Sequence, residues 1–539
     1  MTSCHIGTGT GWCKCSGALD HLANTNHSLS LPLPAWREST SYTRKRGTQR
    51  LKASPDPFPP LTTSRCSLPN LLLTDAGARA HMDASQGVLL SSALAGAKAS
   101  WPELLGSAHW DGLLDPLDHT LRRLVLLCGD LCQVTYDSFN SDSHSKYCGT
   151  CRFSRATLLA RTQFPAAADV SVAANLYATA ATSLPAGFMV HSLSREAWSK
   201  ESNWIGYVAV SSDAAAAATG QRVIYVALRG TIRNLEWIDV LKPDLVAPDV
   251  ILPADDPARG HARLMKGWYV IYTSTDERSP FSKYSARDQL LAAVRELVAR
   301  YKGESLSVVC TGHSLGASLA TLCAFDMVVN GVSKVGDAYI PVTAIVFGSP
   351  QVGNPEFKKR FDELPNLRAL HVRNKPDLIP LYPSNLLGYA NVGDLLSVNS
   401  KKSPHLKPDT TNVGDYHNLQ GILHTVAGWN GEDGEFKLQV SRSVALVNKS
   451  SAFLKDDNLV PESWWVEKNK GMVLGPTGEW ELEQPAEENL PVPPVVTGKV
   501  IADDVAATTS SKEPKIPEEG KKKTKGIKFL PACFKGVIN

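Results

Sequence analysis

The stretch that most restricts how this chain can fold is YKGESLSVVCTGHSLGASLATLCAFDMVV, residues 301–329. Leu306 to Cys310 is a short apolar run of strand type. The small, apolar residues after Leu315 predict a helix able to pack closely on a sheet. Between them lies Gly312-His313-Ser314-Leu315-Gly316, so the serine is expected on a sharp, strained strand-to-helix turn. Glycine on both flanks has a steric reason, because residues either side of such a corner are forced together and glycine adds no Cβ. Ser314 Oγ would then project above the sheet. The Leu315 N–H would point toward the oxygen of an attacked carbonyl, and the start of the following helix favours negative charge there.

The surrounding segments supply further parts of an α/β sheet. Ser285 and Asp288 predict a capping-box start to a helix whose apolar face is Leu290, Leu291, Val294, Leu297 and Val298, with Arg287, Arg295 and Arg300 expected toward solvent. Earlier, Val223 to Leu228 reads as a strand ending in Arg229-Gly230-Thr231. Gly230 permits a close turn, Thr231 offers an N–H and a hydroxyl near the sheet edge, and Arg229 is expected to be a structural clamp. Composition alone makes this an ordinary turn.

A serine nucleophile needs an imidazole to take its proton and a carboxylate to orient that imidazole. VTAIVFGSP and LRALHVRNKPDLIP are strand-like, and the second delivers Asp377 into a proline-bounded loop. Asp377 is preferred to Asp362, in a charged helix-like segment, and to Asp394, Asp409 and Asp415. DYHNLQGILHTVAGW supplies two histidines seven residues apart, a spacing that allows one shared helical face. His417, near a loop–helix boundary, is the favoured base, with His424 the alternative. The order Ser314, Asp377, His417 is that of an α/β-hydrolase fold, with a central, mostly parallel sheet.

Composition bounds the rest. Lys and Arg number 56 against 53 Asp and Glu, a net charge of +3, which gives no field suited to nucleic acid. No run of 18 or more apolar residues is present, and 11 cysteines without a regular framework fit a reducing compartment. Cys148 and Cys151 form a single CxxC lacking the second pair or histidines of a zinc knot, so no metal or other cofactor is expected. Leu113, Leu117, Leu121 and Leu124 recur at helical spacing, with Pro116 expected to begin a new helix in a helical N-terminal extension.

Residues 1–81 read as a disordered leader or extension, 82–480 as the catalytic domain, and 481–539 as a flexible Pro/Glu/Lys-rich tail. The leader is basic and rich in Ser and Thr, similar to a chloroplast transit peptide; a start near Met82 is the other reading. KPDLVAPDVILPADDPARGHARLMKGWYVIY contains Val250, Ile251, Leu252, Leu264, Met265, Trp268 and Tyr269. It is either a movable lid over an acyl groove or an ordinary packed excursion.

The pieces WDGLLDPLDHTLRR, QVTYDSF, RGTIRNLEWIDVL, TGHSLGASLATLCAFD, FGSPQVGN, VRNKPDLIP, YHNLQGILHTVAGW and PESWWVEKNKGM, in this order over roughly residues 100–475, resemble plant class II phospholipase A1 of the lipase class 3 superfamily. The resemblance implies Ser314 as nucleophile, Asp377 as orienting acid, His417 as base, and Thr231 with Leu315 as oxyanion donors. It implies release of the sn-1 fatty acid from a glycerophospholipid, with transient peripheral membrane contact and cytoplasmic residence. A plastid location is the alternative if the N-terminal segment is a transit peptide. A broader acylglycerol lipase or galactolipase, and an inactive lipid-binding protein on the same scaffold, are the competing functions.

Overall fold

The computed structural model describes residues 99–180, 189–197, 202–231, 242–465 and 471–496. The expected leader, 1–81, the segment directly after Thr231, and the C-terminal end with the basic run 521–530 lie outside the described residues.

A seven-stranded sheet forms the centre: β1 (Val170–Ala178), β2 (Asn203–Ser211), β3 (Arg222–Leu228), β4 (Leu306–His313), β5 (Val342–Phe347), β6 (Leu367–Asn374) and β7 (Asp394–Val398). The strands lie side by side in chain order. β1, β2 and β3 pair antiparallel, and β3 through β7 pair parallel. Parallel neighbours need crossovers. Helices α1 (His119–Asp137), α2 (Lys266–Thr273), α3 (Ala286–Arg300), α4 (Leu315–Val329), α5 (Pro355–Asp362) and α6 (Leu419–Gly428) cover the sheet.

Strand alternation divides the core into two layers. Val308 and Cys310 of β4, with Ile224 and Val226 of β3, join the cluster that contains α2, α3, α4 and α5. Val309, Tyr225 and Ile345 point the other way, into the cluster with α1 and α6. Both faces are therefore buried, which is why these strands read as continuous apolar runs. The crossover helices α3, α4 and α5 share one layer, so the C-terminal ends of β3 to β6 line one edge of the sheet.

Three local expectations change, and one left open is decided. Pro116 does not begin a helix: α1 starts at His119, because the Asp118 carboxylate caps the amides of Thr120 and Leu121. Arg287 does not face solvent. Its guanidinium makes a two-pronged pair with buried Asp326 of α4, at 2.8 and 3.0 Å, which also accepts from Tyr272 and Asn330. The same helix does begin with the expected Ser285–Asp288 capping box. The excursion after Lys242 is packed: Ile251, Leu252, Leu264, Met265 and Trp268 are core residues, and Trp268 Nε1 donates to Gln351 O at 3.1 Å. Part of the segment expected as a tail is held down, since Asn489 Oδ1 accepts from the Ser154 amide and the Thr157 hydroxyl. Among the described residues no helix is long and apolar enough to cross a membrane.

Candidate active site

Ser314 sits between β4 and α4 with φ +59° and ψ −129°, a conformation costing an L-residue about 1–3 kcal/mol. The surrounding packing holds it. The Ser314 amide donates to Phe347 O at the end of β5. A Cβ on Gly312 would lie 2.1 Å from Gly316 O, and one on Gly316 would lie 2.2 Å from Leu228 O. The two glycines thus let the turn close on itself and let α4 press against the end of β3. Leu315 is the first residue of α4, so its N–H lies at the open end of the helix. Thr231 follows Gly230, whose added Cβ would come 3.2 Å from Ser314 Cβ. The turn after β3 is therefore directly beside the serine.

Asp377 and His417 arrive from elsewhere on the same edge. Asp377 follows β6 and is 1% exposed; its Oδ1 accepts from the Ile379 amide at 2.9 Å. Its Oδ2 accepts from His417 Nδ1 at 2.7 Å. With its proton on Nδ1, the His417 imidazole presents an Nε2 lone pair. His417 Nε2 and Ser314 Oγ are both buried without a hydrogen-bond partner. Both residues lie beside the end of β5: the Ser314 amide donates to Phe347 O, and a Cβ on the next residue, Gly348, would lie 2.9 Å from His417 Cε1. A serine–histidine contact of this kind commonly tightens only when substrate arrives.

His424 is separated from this site. His417 precedes α6, and Asn418 caps that helix through the Gly421 amide, so the two histidines do not share a helical face. His424 is buried against Phe436, with Nε2 2.9 Å from Ser403 Oγ, and burial pushes its pKa down to about 4. Asp362 ends α5, while Asp415 is held by Thr410 and Asn412. Asp409 pairs with Lys401, and Asp394 with His109. None of these carboxylates meets His417.

Residues 225–387 match the lipase (class 3) family model. Over 459 residues the chain is 80% identical to phospholipase A1-II 5 of Oryza sativa subsp. indica, covering 85% of this chain and 98% of that protein. The chain belongs to this family. It is also 50% identical over 409 residues to phospholipase A1-IIdelta of Arabidopsis thaliana, covering 73% of this chain and 98% of that one. The solved Lip2 lipase of Yarrowia lipolytica is similar at 17% identity with TM-score 0.35, covering 60% of this chain and 98% of that one.

Three parts of this class 3 lipase escaped the sequence reading. His313, inside the GxSxG, accepts the Tyr136 hydroxyl proton at Nδ1 (2.8 Å) and donates from Nε2 to His417 O (2.8 Å). Burial, with His417 nearby, holds its pKa well below the usual value, so it stays neutral. The Tyr136 hydroxyl also lies against the turn after β3, where a Cβ on Gly230 would come 2.2 Å from it, so this turn, the elbow and the His417 turn meet around Tyr136 and His313. Asn374 at the end of β6 donates to Tyr416 O and pairs with Ser400, fixing the chain just before His417. Gly348, at φ +56°, keeps the space that the His417–Asp377 pair occupies. Arg229 is the expected clamp: Nε donates to Trp204 O, and the guanidinium lies 3.8 Å from the Phe139 ring centroid. Cys148 and Cys151 are buried, and burial pushes the Cys151 thiol up to about 12.

Proposed function

We propose that this lipase is a phospholipase A1 that hydrolyses the sn-1 acyl ester of glycerophospholipids. The observation that carries the chemistry is the 2.7 Å pair between His417 Nδ1 and Asp377 beside a strained, buried Ser314. The relatives named above support the substrate class. His417 Nε2 takes the Ser314 proton as Oγ attacks the ester carbonyl, while Asp377 holds the productive tautomer and stabilises the imidazolium. The tetrahedral oxyanion is bound by the Leu315 and Thr231 amides. A single such donor is worth about 2.7–4 kcal/mol, or 10²–10³ in rate.

Collapse of the intermediate breaks the bond to the glycerol oxygen, which leaves with the proton from His417 as a 2-acyl lysophospholipid. The acyl group stays on Ser314. His417 then deprotonates a water that attacks the acyl-enzyme, and the fatty acid departs as the proton returns to Ser314. Contact with the lipid phase is peripheral and lasts for turnover.

Phosphatidylcholine labelled at one acyl position, incubated in chelator with wild type and with Ser314→Ala, tests the proposal. Release of the sn-1 chain by wild type alone is expected. Release from sn-2 alone would reject it, and preference for galactolipid or neutral acylglycerol would favour the broader lipase. The family resemblance supports cytoplasmic residence. Imaging of the full chain and a Met82-start form at native expression tests this, and a plastid-resident cleaved form would overturn it.

A further inference from the structure

From Leu378 to Gly393 the chain carries no charged residue, an interval that begins immediately after Asp377. Four of its leucines stand in solvent: Leu378 at 37% exposure, Leu381 at 39%, Leu387 at 48% and Leu386 at 97%. Single exposed leucines are common on soluble proteins, but four within ten uncharged residues directly after the carboxylate that pairs with His417 are not. The loop is fastened from beneath. Gln351, in the segment after β5, donates its amide to Tyr382 O at 2.9 Å and its Nε2 to Asn385 Oδ1 at 2.8 Å. Farther along, the Ala390 amide donates to Gly353 O and the Tyr389 hydroxyl donates to Pro243 O. Polar groups therefore tie the loop to the sheet edge while the leucines point away.

Part of the backbone under the leucines is also already hydrogen-bonded within the chain. Two 3₁₀ turns, Ile379–Leu381 and Asn385–Leu387, carry three of the four leucines. The amides of Leu381, Tyr382, Leu387 and Gly388 are satisfied inside those turns, and the Ile379 amide is satisfied by Asp377. Backbone groups taken out of water without partners are costly, and these amides have partners. A loop built to meet a soluble partner has no need of an uncharged run that continues past its last exposed leucine to Gly393. A loop that dips into lipid does.

We propose that Leu378, Leu381, Leu386 and Leu387 form a rigid docking edge that enters the surface of aggregated phospholipid and sets the Ser314 pocket against it. This rests on the phospholipase reading for the identity of the surface. It is independent of the chemical step, since no leucine of the edge supplies a reacting group.

The test uses the full chain carrying Ser314→Ala, so that binding is measured without turnover, and vesicles of zwitterionic phosphatidylcholine. Adding Leu386→Asp is expected to lower partitioning onto the vesicles about tenfold, and adding Leu381→Asp to lower it further. Leu386→Trp should instead strengthen binding, and its indole should be quenched by brominated acyl chains. In the active enzyme, Leu386→Asp should leave hydrolysis of a monomeric short-chain phosphatidylcholine within twofold of wild type while vesicle hydrolysis falls. Unchanged partitioning of the aspartate variants overturns the proposal. So does binding that requires anionic lipid and ignores the leucines, or a loss of self-association in place of vesicle binding. Failure of the active enzyme to cleave the monomeric phospholipid rejects the phospholipase reading instead, and the vesicle arm still decides the docking edge.

Discussion

Gly348→Ala is the substitution that separates the geometry of the site from its inventory of residues. Gly348 reacts with nothing, yet its φ of +56° lies in the left-handed region, where alanine costs about 1–2 kcal/mol. The added Cβ would lie 2.9 Å from His417 Cε1, 3.0 Å from Nδ1 and 3.2 Å from Asp377 Oδ2. Carbon contacts relax at about 3.5–4.0 Å, so the imidazole has to withdraw by roughly 0.5–1 Å. It cannot withdraw freely, because Nδ1 is bonded to Asp377 and the His417 carbonyl to His313. A displacement near 1 Å costs on the order of 10²-fold in rate. The expected result is a folded enzyme with kcat on sn-1-labelled phosphatidylcholine down by about 10²-fold, KM little changed, and a thermal midpoint only slightly lower. A folded variant with kcat within a factor of about three of wild type, on that same scale, would refute the packing argument.

The other perturbations address separate parts of the molecule. His417→Ala should remove nearly all hydrolysis, whereas His424→Ala should keep it at some cost in stability; purified variants compared by activity and near-UV circular dichroism decide this, and an inactive but folded His424 variant would reverse the assignment. Tyr136→Phe removes the proton that holds the His313 tautomer, so kcat should fall by about tenfold with KM and fold retained, the scale of one lost hydrogen bond of about 1–1.5 kcal/mol; restoration by no substitution other than tyrosine, and a kcat-only effect, distinguish positioning from general loosening. Arg287→Ala leaves Asp326 buried without its cation and should cost about 3–5 kcal/mol in urea unfolding, against about 1 kcal/mol or less for exposed Arg300→Ala. His424, with its folded pKa near 4 and its unfolded value near 6.5, takes up its proton only on unfolding between those limits, so stability should rise with pH through that window by up to about 1.4 kcal/mol per pH unit; His424→Gln should flatten the slope measured by denaturation.

What could be read from the sequence was whatever depends on short spacing or chain order. Ser314 was legible because strand, turn and helix are contiguous, and Asp377 because it follows a strand. The structure places both on one sheet edge, with His417 bonded to Asp377. The choice between His417 and His424 was harder, since seven-residue spacing fits one helical face. What separates them is Asn418, whose side chain caps α6 and leaves His417 outside the helix. Gly348 could not be identified, because FGSP carries no sign of a positive φ or of the ring packed above it. Tyr136 and His313 are 177 residues apart, and no local pattern pairs them.

Arg287 is different, because its burial was encoded and the rule applied to it was too coarse. It lies three residues before Leu290 and four before Leu291, which puts it on the apolar face of α3 rather than opposite it. An arginine there is tolerable only if an acid meets it. The acid is equally visible: Asp326 is the one charged residue within α4, otherwise an apolar helix buried almost throughout. Each charge alone looks like an exception to the pattern of its helix. Together they specify how α3 packs on α4, and α4 carries the serine at its first turn. The ion pair thus fixes the helix whose N-terminus, in the proposed mechanism, faces the developing oxyanion, which joins a residue read as solvent-facing to the chemistry proposed for the site.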